Sequence, residues 1–355
     1  MKDIGTTPST VYADDHKWEA FRGIVQELNP SKVFVLVDEN THIHCNPFFQ
    51  KHFTDYSYAV IQIPAGEIHK NIETCVKVWQ ELSNQGADRK SLLINLGGGM
   101  VTDLGGFVAS TYQRGIAFIN IPTSLLAMVD ASVGGKNGVD LGVLKNQIGI
   151  IRQPNCVLIE PQFLKTLPAH EIRSGQAEII KHGLISSEMY LDKSFQLDVT
   201  KPELAKDLIW ESILIKHKIV QEDPFEKGIR KTLNYGHTLG HAIESYCLQS
   251  DTKETLLHGE AIAIGLLLEN YISTQLLGFS KDDNQQVATK IKSIYKSPTF
   301  SEDDVNQIIK LLIHDKKNTY GKVQFVLLTS IGNCKLNCTV ENDLIKEAFK
   351  YYHIF

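Results

Sequence analysis

Ser91–Ser110 reads SLLINLGGGMVTDLGGFVAS. A short apolar run, three glycines and a second apolar run at helical spacing follow one another, the pattern of a strand that empties through a tight turn into a helix. Upstream, KVFVLVD (Lys32–Asp38) and YAVIQI (Tyr58–Ile63) are continuous apolar runs of strand length, and Ile72–Leu82 is helical in pattern. Strands that are apolar on both faces belong to a parallel sheet covered by helices. Downstream, Ala117–Ile121 and NCVLIEP (Asn155–Pro161) add further strands. After Leu167 and Pro168 the pattern turns helical. The expected architecture is therefore an α/β domain with a parallel sheet over 1–165 and a mostly α-helical domain over 166–355.

Glycine at 97, 98 and 99 lets backbone amides approach a pyrophosphate, and the following helix offers the positive end of its dipole. The run is not G-x-G-x-x-G, however, and tight strand-to-helix turns also use glycine for steric reasons alone. Asp103, early in that helix, suits either a cap or a ligand hydroxyl. The chain after Pro122 holds more polar residues than a core needs. Asp130, Lys136, Lys145 and Asn146, with a glycine pair at 134 and 135, are expected in a loop.

The 355 residues exceed what one hydrophobic core usually serves, and 43% apolar with 22% charged residues is an ordinary globular composition. A formal net charge of -5 with dispersed lysine and arginine argues against a nucleic-acid partner. The opening stretch has no apolar core of signal-peptide type, and no later run reaches membrane-spanning length without charge. A cytoplasmic protein without a membrane partner is the expectation. Of the six cysteines only Cys334 and Cys338 lie close together; alternation puts them on one face of a strand, as buried or idle thiols.

The densest chemistry lies in the helical half, in RKTLNYGHTLGHAIESYCLQSDTKETLLHGE (Arg230–Glu260). His237 and His241 stand four apart in a helix-forming context, so their rings rise from one face, and His258 opens a second apolar helical run. In SGQAEIIKHGL, Glu178 is held among Ala177, Ile179 and Ile180, where a carboxylate is costly unless paired or metal-bound, and Lys181 follows on roughly the same face. Glu, His and His with an open position is a catalytic zinc pattern. Spacing alone leaves two readings open: a metal grip, or helix-cap and core histidines at 241 and 258.

The strings GGGMVTDLGGF, YQRG, PTSLLAMVDASVGGK, LKNQIG, SGQAEIIKHG, LNYGHTLGHAIE and HGEAIAIG occur in that order. In them the chain, from about Val33 to Leu328, resembles the 3-dehydroquinate synthase family of sugar phosphate cyclases. The resemblance implies a nucleotide-binding α/β domain, a helical C-terminal domain, NAD, a divalent metal (zinc, with cobalt as the other candidate) and a homodimer. It makes Glu178, His237 and His258 the metal ligands and assigns His241 to the substrate pocket. It gives the cofactor Asp38, Glu67, Lys70, Gly98, Gly99, Asp103, Thr123, Ser124 and Lys145. Asp130, Lys136, Asn146, Lys181, Lys216, Arg230 and Asn234 match substrate-contacting positions, with Lys136, Lys181, Lys216, Asn234 and His241 as the catalytic set. Arg114 matches an arginine that reaches a neighbouring subunit's phosphate site, and a further lysine is Lys316 or Lys317. Thr102 and Asn137 depart from the family pattern, which has Gly and Thr there.

The substrate implied is a phosphorylated sugar acid, the seven-carbon 3-deoxy-D-arabino-heptulosonate 7-phosphate (DAHP), converted to 3-dehydroquinate and phosphate. NAD is reduced and reoxidised within one cycle, around a phosphate elimination and an intramolecular aldol closure. Two rivals share the plan: another sugar phosphate cyclase, whose substrate lacks the carboxylate, and a metal- and NAD-dependent polyol dehydrogenase, which would accumulate NADH.

Overall fold

A computed structural model describes residues 3–6, 9–13, 16–142, 144–312 and 323–354. The chain divides into two compact units, Met1–Pro168 with Asp198–Ile213, and Ala169–Leu197 with Leu214–Phe355. The division thus falls beside Pro168 rather than at 165, and a later segment groups with the first unit.

The first unit runs β1 (Asp3–Thr6), β2 (Ser9–Tyr12), α1 (Lys17–Leu28), β3 (Val33–Asp38), α2 (Glu39–His44), α3 (Asn46–His52), β4 (Ala59–Ile63), α4 (Ile72–Asn84), β5 (Leu92–Gly97), α5 (Gly99–Thr111), β6 (Ala117–Pro122), β7 (Lys136–Leu141), β8 (Leu144–Ile151) and β9 (Cys156–Leu158). Its main sheet has the order β1-β2-β9-β6-β5-β3-β4, with every neighbour parallel except β1 against β2. The five strands expected from the sequence are β3, β4, β5, β6 and β9. β5 is buried along its whole length, as an apolar strand with helices on both faces must be. At its end Gly97 answers the steric half of the glycine question. A Cβ there would lie 2.5 Å from the Val101 side chain, so the first turn of α5 could not fold back over any larger residue.

The expected loop after β6 is corrected. Ala127–Ala131 forms a π-helical turn carrying Asp130, and β7 and β8 pair as an antiparallel hairpin apart from the main sheet. Gly134 and Gly135, both at positive φ, turn the chain into it. β8 is mostly exposed, so it lacks the apolar alternation by which a strand is recognised. Asn137, one of the two departures, has work of its own: its side-chain amide donates to the carbonyls of Gly135 (3.0 Å) and Arg152 (2.7 Å), stapling the hairpin's base. Thr102, the other, is buried in α5 and donates to the Gly99 carbonyl.

The second unit contains α6 (Ala169–Leu184), α7 (Glu188–Ser194), the later part of α8 (Pro202–Glu222), α9 (His237–Gln249), α10 (His258–Leu277), α11 (Lys281–Ile294), α12 (Glu302–Leu311), the hairpin β10 (Phe325–Ser330) and β11 (Asn333–Cys338), and α13 (Asn342–Ile354). α10 is the axis of this unit. Its residues Gly259 and Ala261–Asn270 are all buried, as befits a helix that is apolar on every side. Two glycines set how closely its neighbours approach: a Cβ on Gly259 would stand 1.9 Å from the Ser174 carbonyl oxygen of α6, and one on Gly265 2.0 Å from the Gly236 carbonyl before α9. Cys334 and Cys338 share the inner face of β11, and all six cysteines are free thiols.

Candidate active site

The close approaches at Gly259 and Gly265 bring the start of α9, the start of α10 and the middle of α6 together. His237 is the first residue of α9 and His258 the first of α10, while Glu178 sits on α6 with no exposure. His237 Nε2 lies 3.3 Å and His258 Nε2 3.4 Å from the same oxygen, Glu178 Oε1. His241 joins them. The three imidazoles offer ligand atoms all within 4.8 Å of one another, with ring centroids 5.1 to 5.6 Å apart.

The other ring nitrogens fix the tautomers. His237 Nδ1 lies 3.0 Å from the Tyr235 carbonyl, which can only accept, so Nδ1 carries the hydrogen and Nε2 the lone pair. His258 Nδ1 donates in the same way to Glu244 Oε2 at 3.2 Å. Two imidazole lone pairs thus face a carboxylate lone pair. Neither Glu178 oxygen has an aligned hydrogen bond, although Oε2 forms an ion pair with the Lys181 ammonium. Three donors without protons between them fit a cation. The carboxylate and two imidazoles suit zinc or a similar divalent ion, and the backward hydrogen bonds are the usual means of aiming ligand histidines.

Electrostatics agree with that fit. Burial alone would raise the Glu178 pKa, but Lys181 and then His237 outweigh it and hold the carboxyl well below its usual range. Burial pushes His237 down, keeping its imidazole neutral. His258 is opposed by burial as well, yet the carboxylates of Glu178 and Glu244 push it up to about 10, the pull that two anions exert on any cation set between them.

The second unit also buries three cations, of which Lys181 touches this cluster. Lys181, Arg230 and Lys216 are 1%, 2% and 6% exposed, depths at which a cation needs anionic company. Arg230 Nη1 donates to the Pro224 carbonyl at 2.6 Å, and Asn234 donates to Glu226 Oε1 at 2.6 Å.

In the first unit Gly98 caps α5 and Gly99 is its first residue, with Ser124 Oγ 3.3 Å from where a Gly98 Cβ would stand. Thr123 is buried and its N–H donates to the Gly97 carbonyl. Asp38 caps α2, accepting from the Thr41 N–H at 2.7 Å. Lys70, Asp103, Glu67, Lys145 and Asp140 form one network: Lys70 Nζ lies 2.7 Å from Asp103 and 3.4 Å from Glu67, and Lys145 Nζ 3.4 Å from Glu67 and 3.7 Å from Asp140. Burial opposes the charge on Lys70, but Asp103 and Glu67 more than compensate, raising its pKa. The hairpin separates Lys136, at the base of β7, from Lys145 and Asn146 near its turn. Arg114 is exposed, and Lys316 and Lys317 lie outside the described residues.

Three groups escaped the sequence reading: Glu244, which holds His258; Ser174, whose hydroxyl accepts from the Gly259 N–H at 3.0 Å; and Glu269, buried in α10. The signal for Glu269 was present, since LLLEN sets a carboxylate in an apolar helix just as AEII does at Glu178.

Residues 60–174 match the family model described as 3-dehydroquinate synthase N-terminal, and residues 175–318 the one described as 3-dehydroquinate synthase C-terminal. A 3-dehydroquinate synthase from Parabacteroides distasonis is 42% identical over 330 residues, which cover 92% of this chain and 93% of that protein. Among solved structures, 2-epi-5-epi-valiolone synthase from Streptomyces hygroscopicus, with NAD+ and Zn2+ bound, superposes with a TM-score of 0.86 at 23% identity, covering 100% of this chain and 98% of its own. An NADH-dependent butanol dehydrogenase from Thermotoga maritima reaches 0.67 at 13% identity, covering 98% and 97%. Cyclases and dehydrogenases thus share the architecture, and the fold does not choose between their chemistries.

Proposed function

Because the chain belongs to the 3-dehydroquinate synthase family, we propose that Glu178, His237 and His258 hold a divalent ion, zinc or cobalt, and that the glycine turn before α5 receives NAD. The chain is an enzyme of that family, a carbon–oxygen lyase that converts DAHP to 3-dehydroquinate and phosphate. Bound at these places, the ion would polarise a substrate hydroxyl and NAD would accept and then return one hydride, leaving no net redox change.

The chain's own residues handle charge and orientation. Lys181, Lys216 and Arg230 meet the substrate's phosphate and carboxylate, and His241, within reach of the trio, donates to the phosphate. Their positive charge stabilises the phosphate as it departs with the bonding electron pair, and a phosphate oxygen takes the neighbouring carbon-bound proton. Asn234 orients the substrate, as do Asp130, Lys136 and Asn146. Asp38, Glu67, Lys70, Asp103, Thr123, Ser124 and Lys145 line the nucleotide. One of Lys316 and Lys317 completes the substrate set. The working form in this reading is a cytoplasmic homodimer. Arg114 stands on a turn where Gln113, Arg114 and Gly115 all have positive φ, and it reaches a neighbouring copy's phosphate site.

The observation that carries the proposal is the convergence of two tied-back imidazole Nε2 atoms on one buried carboxylate oxygen. The test is purified protein with DAHP, catalytic NAD and zinc, with phosphate and NADH followed together. Phosphate released without accumulating NADH is the expected result. Steady NADH production from a polyol, with no phosphate from DAHP, would overturn it.

A further inference from the structure

α9 begins at His237, so the first imidazole of the trio stands at the positive end of a helix dipole, an unfavourable place for a dication. The residue before it, Gly236, has φ 77 and no side chain with which to cap the helix. The cap comes instead from α10. Glu269, fully buried, accepts from the Gly236 N–H with Oε2 at 2.7 Å and from the Leu239 N–H with Oε1 at 3.2 Å. These two amides bracket His237. Next to Glu269, Asn270 accepts a hydrogen bond from the Tyr235 hydroxyl, and the Tyr235 carbonyl is what His237 Nδ1 donates to. The Glu269–Asn270 pair therefore grips the chain on both sides of the first ligand.

We propose that Glu269 is a positioning residue for the metal site. Its carboxylate fixes the first turn of α9 so that His237 Nε2 faces Glu178 Oε1, and its charge offsets the partial positive charge that the α9 N-terminus sets against a divalent cation. The inference rests on reading Glu178, His237 and His258 as metal ligands. A carboxylate placed only to stabilise the fold could be replaced by an isosteric amide with a loss of stability and nothing else. One that serves the metal could not.

The experiment titrates the metal-free full chain with Zn2+ against a chromophoric chelator, and with Co2+ while the visible ligand-field bands are recorded. Thermal unfolding of the metal-free protein runs alongside. Glu269→Gln, which keeps the shape and loses the charge, is expected to bind Zn2+ about 10- to 100-fold more weakly, the range typical of outer partners of metal ligands, and to shift the Co2+ bands. Glu269→Asp keeps the charge but shortens its reach, and should fall between the two. Asp304→Asn, on α12, lowers stability without touching affinity, and so calibrates what instability alone does. Parent affinity and parent bands in Glu269→Gln, whatever its unfolding temperature, would overturn the proposal. If that variant fails to fold, parent-like binding by Glu269→Asp does the same. A parent protein that binds no Zn2+, or a Glu178→Gln variant that binds it undiminished, would sink the ligand reading itself and this inference with it. Loss of binding in Glu178→Gln beside unchanged binding in Glu269→Gln would sink only the role of Glu269.

Discussion

In the first unit, Lys70 sets its ammonium 2.7 Å from Asp103 and 3.4 Å from Glu67, and Lys145 continues the chain of pairs to Asp140. In the second, Lys181 meets one oxygen of Glu178, while the other oxygen faces two imidazole nitrogens whose hydrogens are turned away. Both are clusters of charged side chains around a lysine and a carboxylate. One sets every carboxylate against a lysine ammonium and turns no bare acceptor toward another. The other leaves buried acceptors pointing at each other, an arrangement that is costly in a low-dielectric interior until a cation sits among them. Charge count does not separate a network of ion pairs from a metal site; the direction of the lone pairs does.

The variant that breaks this contrast most severely is Glu178→Gln. It removes the carboxylate charge that both imidazoles face and should abolish zinc retention and lower turnover by at least about a thousandfold, or ~4 kcal/mol of transition-state stabilisation, read by metal analysis and phosphate release. Zinc content unchanged at full activity would equate the two clusters. Lys216→Ala sharpens the contrast inside the second unit. It should leave zinc content intact and lower kcat/KM by about a hundredfold, ~2.7 kcal/mol, because in the proposed reading it handles substrate and not metal. Lys70→Met tests the first unit. It strands Asp103 beside Glu67 and should lower stability by ~2 kcal/mol in chemical unfolding, with no change in zinc affinity.

Asp304 gives the smallest effect and a pH signature. It completes the capping box of α12 by accepting from the N–H of the cap residue Ser301, accepts from the Tyr246 hydroxyl, and lies 2.7 Å from Lys253. Burial works against its charge, but Lys253, Tyr246 and Ser301 hold its pKa well below the ordinary 3.8. A carboxyl depressed on folding adds stability above its unfolded pKa and loses it as pH falls toward the folded value. Asp304→Asn should therefore cost ~1 kcal/mol at neutral pH, and the gap between variant and parent should close below about pH 4.

How far the sequence could be read follows the same division. The parallel sheet was legible because β3, β5 and β6 are apolar on both faces, and the meeting of Glu178 with His237 and His258 because Glu178 interrupts an apolar run and the histidines fall in helix-forming stretches. The hairpin from Lys136 to Ile151 was not. Its second strand is exposed, and glycine turns with lysine and asparagine look the same in a loop. β1 and β2 escaped because a short edge pair carries little apolar pattern. Glu244 and Glu269 escaped for another reason: each acts on a residue far from it in the chain, a relation that exists only once α9 and α10 pack together.

The most direct test of the central claim is X-ray absorption on the protein loaded with one equivalent of Zn2+. The account predicts a first shell with two imidazole nitrogens and a carboxylate oxygen, losing one imidazole in His258→Ala. A shell containing sulfur, or one unchanged by His258→Ala, would contradict it.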